Sequence, residues 1–191
     1  MLRLFTGLDI PHDIRSDLDM MKGGVIGARW IERENYHLTL RFVGDVEEGV
    51  ARDLAEALDA VAVPSFHTRL KRLGAFGGAK PHALYIGMEA SPELKRLQAA
   101  HERICRQVGL AGETRKFTPH VTLARLRRTD PGDVQRHIAA HNLYESRPFE
   151  VNRFVLFSAR PSRGGGPYAI AADYRLGVRY AEPALRAAAA R

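Results

Sequence analysis

Sulfur is scarce in this chain: Cys105 is the only cysteine among 191 residues, which excludes an intramolecular disulfide and a cysteine-rich zinc site. Its surroundings, HERICRQVGL, have the spacing of an amphipathic helix in which Cys105 follows an inward Ile104. Inert packing is therefore expected of it rather than reactivity. Long apolar runs are missing as well. No stretch approaches the ~20 apolar residues of a membrane span. The opening MLRLFTGLDIP alternates apolar with other residues up to Pro11, which suits a strand and not a signal peptide. A soluble, cytoplasmic chain with no membrane partner is expected. Acidic residues are the minority charge: 22 Asp and Glu stand against 29 Lys and Arg, for a formal charge of +7. Basic side chains cluster at 69–72, 125–128 and 160–163. This balance suits an anionic partner, yet a solvated Arg-rich surface gives the same count, so charge alone decides nothing.

The length fits one domain, or two lobes sharing a core. Residues 2–9 read as a strand, and Pro11 opens a helix that stops at Gly23 and Gly24. A strand with a turn follows. Residues 36–44 alternate as a strand does, and 47–61 place Val50, Leu54, Leu58 and Val61 at helical spacing. Two strands are expected at 65–73 and 82–88, joined by GAFGGAKP. Ser91 and Pro92 start a helix to about Gly109, with Leu94, Leu97, Ile104 and Val108 inward. Another strand, a short helix at 131–141, a strand at 149–158, a GGGP turn and a strand at 168–176 complete the reading. Each half of the chain carries strand, helix and further strands. That predicts an α+β fold of antiparallel sheets with an internal pseudo-repeat, one unit over 1–180, and a frayed or helical tail at 181–191.

One pattern occurs twice. HLTLRFVGD begins at His37 and HVTLARL at His120, so His-x-Thr-Leu recurs 83 positions apart. With 8 His, 7 Thr and 20 Leu in the chain, shuffling gives roughly 0.03 copies of such a tetrapeptide, so composition does not account for two. On a strand, His37 and Thr39 share one face and Leu38 and Leu40 the other; His120 and Thr122 are related to Val121 and Leu123 in the same way. Side by side about a pseudo-twofold axis, the two strands would bring two imidazoles and two hydroxyls to one cleft. Imidazole titrates near neutrality and can take or give a proton, and threonine hydroxyls can donate to an anionic oxygen. Such a set suits phosphoester cleavage with no metal and no cofactor. Two rivals stand beside it. A metal site would have only two histidines and no adjacent carboxylate. A purely structural role would leave the doubled threonine without a packing reason. His12, His101, His137 and His141 fall in helices or caps, where exposure is expected, and His67 and His82 lie near turns.

HLTLRFVGD and FTPHVTLAR resemble the signatures of the two-histidine phosphoesterase superfamily, and within it the RNA 2′,3′-cyclic phosphodiesterases, also called 2′-5′ RNA ligases. RLFTGLDIP, LGAFGGAKPHALYIGM and GGGPYAIAADYRL extend the likeness over nearly the whole chain. The resemblance implies a bilobal fold of two pseudo-symmetric lobes facing across a central cleft. It also implies hydrolysis of RNA 2′,3′-cyclic phosphate ends to 2′-phosphates without metal or nucleotide, and in some members reversible ATP-independent 2′-5′ joining of RNA ends; a monomer is the default expectation. It assigns His120 as general base, His37 as general acid, and Thr39, Thr122 and Arg125 to the phosphate, with Phe42 matching an aromatic residue that can stack on a base. Phe42 and Arg125 each lie five residues past a histidine. In a straight strand both would point away from the histidine face, so the likeness requires a bulge or a strand end between them. Arg41 has the right parity instead, and is otherwise expected to be a solvated charge at a sheet edge. Two further functions stay open: an RNA-end-binding module without turnover, and a phosphodiesterase for a small cyclic nucleotide.

Overall fold

The computed structural model describes residues 1–159 and 166–177. The basic cluster at 160–163, the start of the GGGP turn and the tail at 181–191 lie outside the described residues. Among the described residues, ten strands and four α-helices follow the predicted order closely. They are β1 (Leu2–Asp9), α1 (His12–Met20), β2 (Ala28–Trp30), β3 (His37–Val46), α2 (Glu48–Leu58), β4 (Phe66–Thr68), β5 (Leu70–Phe76), β6 (Ala83–Met88), α3 (Pro92–Gln107), β7 (His120–Leu126), α4 (Pro131–His141), β8 (Phe149–Val151), β9 (Arg153–Ala159) and β10 (Tyr168–Arg175). No helix among the described residues is long and apolar enough to cross a membrane.

Local chemistry sets the helix ends. Ser91 Oγ accepts from the Leu94 N–H at 3.1 Å with Pro92 in the first turn of α3. Asp130 Oδ1 accepts from the Gly132 and Asp133 N–H groups at the start of α4, where Pro131 stands first. Both satisfy donors that a helix start leaves free. The inward face of α3 carries Leu94, Leu97, Ala100, His101, Ile104 and Cys105, all buried. Cys105 packs as the sequence suggested. His101 and His137 do not: both are buried, against the expectation of exposure. Each lies on the stripe of its helix that faces the sheet, and Phe154 meets the edge of the His101 ring at 4.5 Å while Trp30 lies 5.3 Å from His137.

The main sheet is antiparallel, in the order β10-β9-β1-β3-β7-β6-β5, with β2 also paired to β7. Its two halves meet at one residue pair, Leu38 of β3 with Val121 of β7. The halves are not the two halves of the chain. β9 and β10 return to complete the part that carries His37, whereas β5 and β6 complete the part that carries His120. Two predicted strands also divide. The run at 65–73 is β4 and part of β5, and the run at 149–158 is β8 and β9; β4 and β8 pair with each other in a separate two-stranded sheet. The hydrophobic alternation continues through the corner at Arg69, so the pattern does not reveal that turn, whereas at the second corner two polar residues in succession, Asn152 and Arg153, shift the buried phase from Val151 to Phe154. One apolar core runs beneath the whole sheet, from Leu4 to Leu176.

Candidate functional site

The pair Leu38 and Val121 is wholly buried, which turns their neighbours to the opposite face. In an antiparallel register, one step to either side sets His37 across from Thr122 and Thr39 across from His120. The pseudo-twofold axis passes through that pair. Two histidines and two threonines thus form one polar square over an apolar floor, as the doubled motif suggested.

Regular alternation ends three residues past each histidine. In β3 the register against β1 skips Leu40, between the pairs Thr6–Arg41 and Gly7–Thr39. In β7 the register against β6 skips Leu123, between Leu84–Ala124 and Tyr85–Thr122. Both are β-bulges at the same offset, and each makes two successive residues face the core: Leu40 with Arg41, and Leu123 with Ala124. Phe42 and Arg125 therefore return to the histidine side. Arg41 does not, which corrects both readings of it, as a residue on the histidine face and as a solvated edge charge, although it borders the same cavity further along. It is buried, its Nε donates to Glu102 Oε2 of α3 at 2.7 Å, and its remaining N–H groups reach the Phe42 and Ala111 carbonyls.

Each imidazole is held in the same way. His37 Nδ1–H donates to the Asn35 carbonyl at 2.8 Å, and His120 Nδ1–H donates to the Thr118 carbonyl at 2.6 Å. A carbonyl can only accept, so it fixes the proton on Nδ1 and leaves Nε2 to the cleft. Thr39 Oγ1 lies 3.1 Å from His37 Nε2. Aromatic rings wall both groups: Phe5, Phe157 and Tyr168 around His37, and Phe76 and Tyr85 around His120. Tyr85 lies where a side chain on Gly74 would stand, 2.7 Å from its ring, so only glycine fits there.

Burial pushes the His37 pKa down to about 4; the Asn35 hydrogen bond opposes this, while the charges of His120 and Arg125 add to it. Burial lowers His120 too, again with a contribution from Arg125. The Arg125 guanidinium thus lies close enough to act on both rings. Phe42 stands at the rim, 38% exposed, with the Arg3 guanidinium 5.6 Å from its centroid. All six residues singled out from the sequence line one cleft of 950 Å³. Among the described residues no three His, Cys, Asp or Glu side chains group to hold a metal ion.

Sequence reasoning missed Asn35. Its carbonyl orients His37, its Oδ1 accepts from the Tyr168 N–H at 3.2 Å, and Gly166 lies against its amide. The carbonyl contact is one that no residue type reveals. The aromatic wall was missed as well, because it is assembled from five strands, β1, β5, β6, β9 and β10, spread along the chain.

The family model for the 2′-5′ RNA ligase superfamily matches residues 13–162. An RNA 2′,3′-cyclic phosphodiesterase of Aquifex aeolicus is 28% identical over 185 residues, which is 93% of this chain and 98% of that protein. One of Aeropyrum pernix is 39% identical over 104 residues, but the match spans only 53% of this chain and 59% of that protein. Among solved structures, E. coli LigT complexed with 3′-AMP superposes with a TM-score of 0.74 at 23% identity, covering 92% of this chain and 98% of that one. At that identity the likeness concerns the fold.

Proposed function

The chain belongs to the 2′-5′ RNA ligase superfamily, and from that premise we propose that it hydrolyses RNA 2′,3′-cyclic phosphate ends to 2′-phosphates. The observation that carries this reading is the single register pair that presents two imidazoles to one cleft, each with Nδ1 tied to a backbone carbonyl and Nε2 turned to the cleft, where that of His37 meets the Thr39 hydroxyl. A binding surface does not need two titratable groups with matched tautomers. Proton transfer does.

In the proposed step His120 Nε2 takes a proton from water, and the water oxygen attacks phosphorus. The bond from phosphorus to the 3′ oxygen breaks, and His37 delivers a proton to that oxygen. The products are a 2′-phosphate and a 3′-hydroxyl. Thr39, Thr122 and Arg125 donate to the phosphoryl oxygens where charge builds up. Phe42 stacks on a base at the rim. Both imidazoles are neutral in the free cleft at pH 7, and the substrate's negative charge between them favours the imidazolium that the leaving oxygen needs. With a 5′-hydroxyl in place of water, the same geometry joins two RNA ends through a 2′-5′ bond, reversibly and without ATP. The reading is of a monomer, acting in the cytoplasm without metal or nucleotide cofactor.

The test uses RNA ending in a 2′,3′-cyclic phosphate, in EDTA, with 2′- and 3′-phosphate products resolved. The wild type is expected to form the 2′-phosphate, and His37→Ala and His120→Ala each to lose about 10²- to 10⁴-fold. A wild type that binds this RNA without turning it over would make the cleft a phosphate clamp and end the enzyme reading.

A further inference from the structure

The histidine square and Arg125 leave much of the cleft unused. Its 950 Å³ stands near the top of the ~300–1,000 Å³ that ligand pockets span. Away from the histidines the same cleft is lined by Leu40 and Phe42 of β3, Gln98 of α3, and Glu113, Arg115, Lys116, Phe117 and Thr118 of the segment that leads into β7, a stretch we call its second arm. This arm is built rather than merely open. Glu102 of α3 binds Arg41 and Arg106 through its carboxylate and accepts from the Glu113 N–H at 3.1 Å. Arg41 also donates to the Ala111 carbonyl. Glu113 in turn accepts from the Nε, Nη2 and backbone N–H of Arg115. The segment before β7 is thus braced against both α3 and β3.

The cations of the cleft divide by their commitments. Arg41 is committed to Glu102, Arg115 to Glu113, and Arg3 faces Asp45 at 3.9 Å. Among the described lining cations, Lys116 and Arg125 have no carboxylate partner. Arg125 belongs to the histidine square. Lys116 is exposed on the braced segment and stands four positions before His120, so their Cα atoms are at most about 14 Å apart.

We infer that this second arm holds the nucleotide on the 5′ side of a cyclic-phosphate end, with Lys116 contacting the phosphodiester that links it to the terminal residue. The inference rests on the proposed function and narrows its substrate to oligonucleotide ends rather than cyclic mononucleotides. A nucleotide added at the 5′ side of the reacting end brings one negative charge and one base. The arm offers one uncommitted ammonium for the charge and a wall of Phe42 and Gln98 for the base. An ammonium acts as a point charge, without the geometric demand of an arginine fork, so it tolerates any base attached to that phosphate.

The test compares a tetranucleotide ending in a 2′,3′-cyclic phosphate with cytidine 2′,3′-cyclic phosphate, for wild type, Lys116→Ala and Lys116→Arg. The wild type is expected to favour the tetranucleotide in kcat/KM. Lys116→Ala should reduce that preference about tenfold and Lys116→Arg should restore most of it. The slope of log KM against log salt for the tetranucleotide should become shallower by about 0.7 in Lys116→Ala. A wild type without preference, or a preference that Lys116→Ala leaves intact, overturns the inference. Hydrolysis of neither substrate by the wild type would defeat the proposed function instead. Binding of the tetranucleotide 3′-phosphate and of cytidine 3′-phosphate by the same three proteins would then decide the inference on the same criterion.

Discussion

Asn35 joins two things that a lone histidine lacks: a fixed tautomer and a fixed wall. Its carbonyl sets the His37 proton, while its side chain anchors the backbone of Tyr168, whose ring meets His37 edge-on at 5.0 Å. Replacing it separates these roles. Asn35→Ala keeps the carbonyl but removes the acceptor of the Tyr168 N–H, and should lower kcat about tenfold with a smaller change in KM. Asn35→Asp keeps an acceptor for the Tyr168 N–H and adds a negative charge beside His37, which favours the imidazolium. The limb of the kcat/KM profile that belongs to His37 should then move to higher pH. Because burial holds both histidines below 6.5 in the free protein, the wild-type kcat/KM bell should centre below pH 6.5. The kcat profile should lie at higher pH, since bound phosphate raises both groups. A profile flat from pH 5 to 9, or an Asn35→Asp limb that stays in place, would argue against histidine proton transfer at this cleft.

The two bulges are the element that turns a sequence repeat into a site. A tetrapeptide repeat reveals faces by alternation, and alternation placed His37, Thr39, His120 and Thr122 correctly. It failed two residues later, at Arg41 and Ala124, because a bulge is a backbone event and the residues it skips, Leu40 and Leu123, are ordinary core leucines. The family likeness, not periodicity, put Phe42 and Arg125 on the cleft side. The division at Arg69 escaped notice for the same reason, since burial alternates straight through that corner, whereas the polar pair Asn152 and Arg153 marks the division between β8 and β9. The bulge also makes a testable contrast between two arginines. Arg41, buried against α3 with only 8% exposure, is expected to act on stability. Arg41→Met leaves Glu102 with Arg106 as its remaining cation, and should cost about 1–3 kcal/mol in denaturant unfolding. Arg125→Met removes no ion pair and should cost under about 0.5 kcal/mol of stability, but lower kcat/KM about 10²- to 10³-fold. The reverse assignment of losses would mean that β7 runs straight in solution.

At the scale of the whole molecule, a fold that buries histidines makes its stability depend on pH in a window set by those groups. His101 is the clearest case. Its Nδ1–H donates to the Leu97 carbonyl at 2.7 Å, its Nε2 is buried with no partner, and Phe154 closes over it. Burial brings its pKa down to about 4, against the opposing pull of the Leu97 carbonyl. In the unfolded chain it titrates near 6.5. Between these values the unfolded state binds a proton that the folded state refuses, so stability falls as pH drops through 6.5 and levels off near 4. Between pH 7 and pH 5 His101 alone should account for a loss of about 2 kcal/mol. Carboxylates add little within that window, because the paired acids, such as Glu113 held at about 2 by Arg115, lose most of their contribution below 4.5. His37, His120 and His137 are lowered by burial as well and contribute in the same direction. A His101→Leu variant isolates one share of the total. Its unfolding free energy should decline less than that of the wild type from pH 7 to pH 5, by about 2 kcal/mol. Parallel declines for the two proteins would mean that His101 reaches solvent or finds a partner for Nε2, and that the core beneath the sheet is more open than its packing indicates.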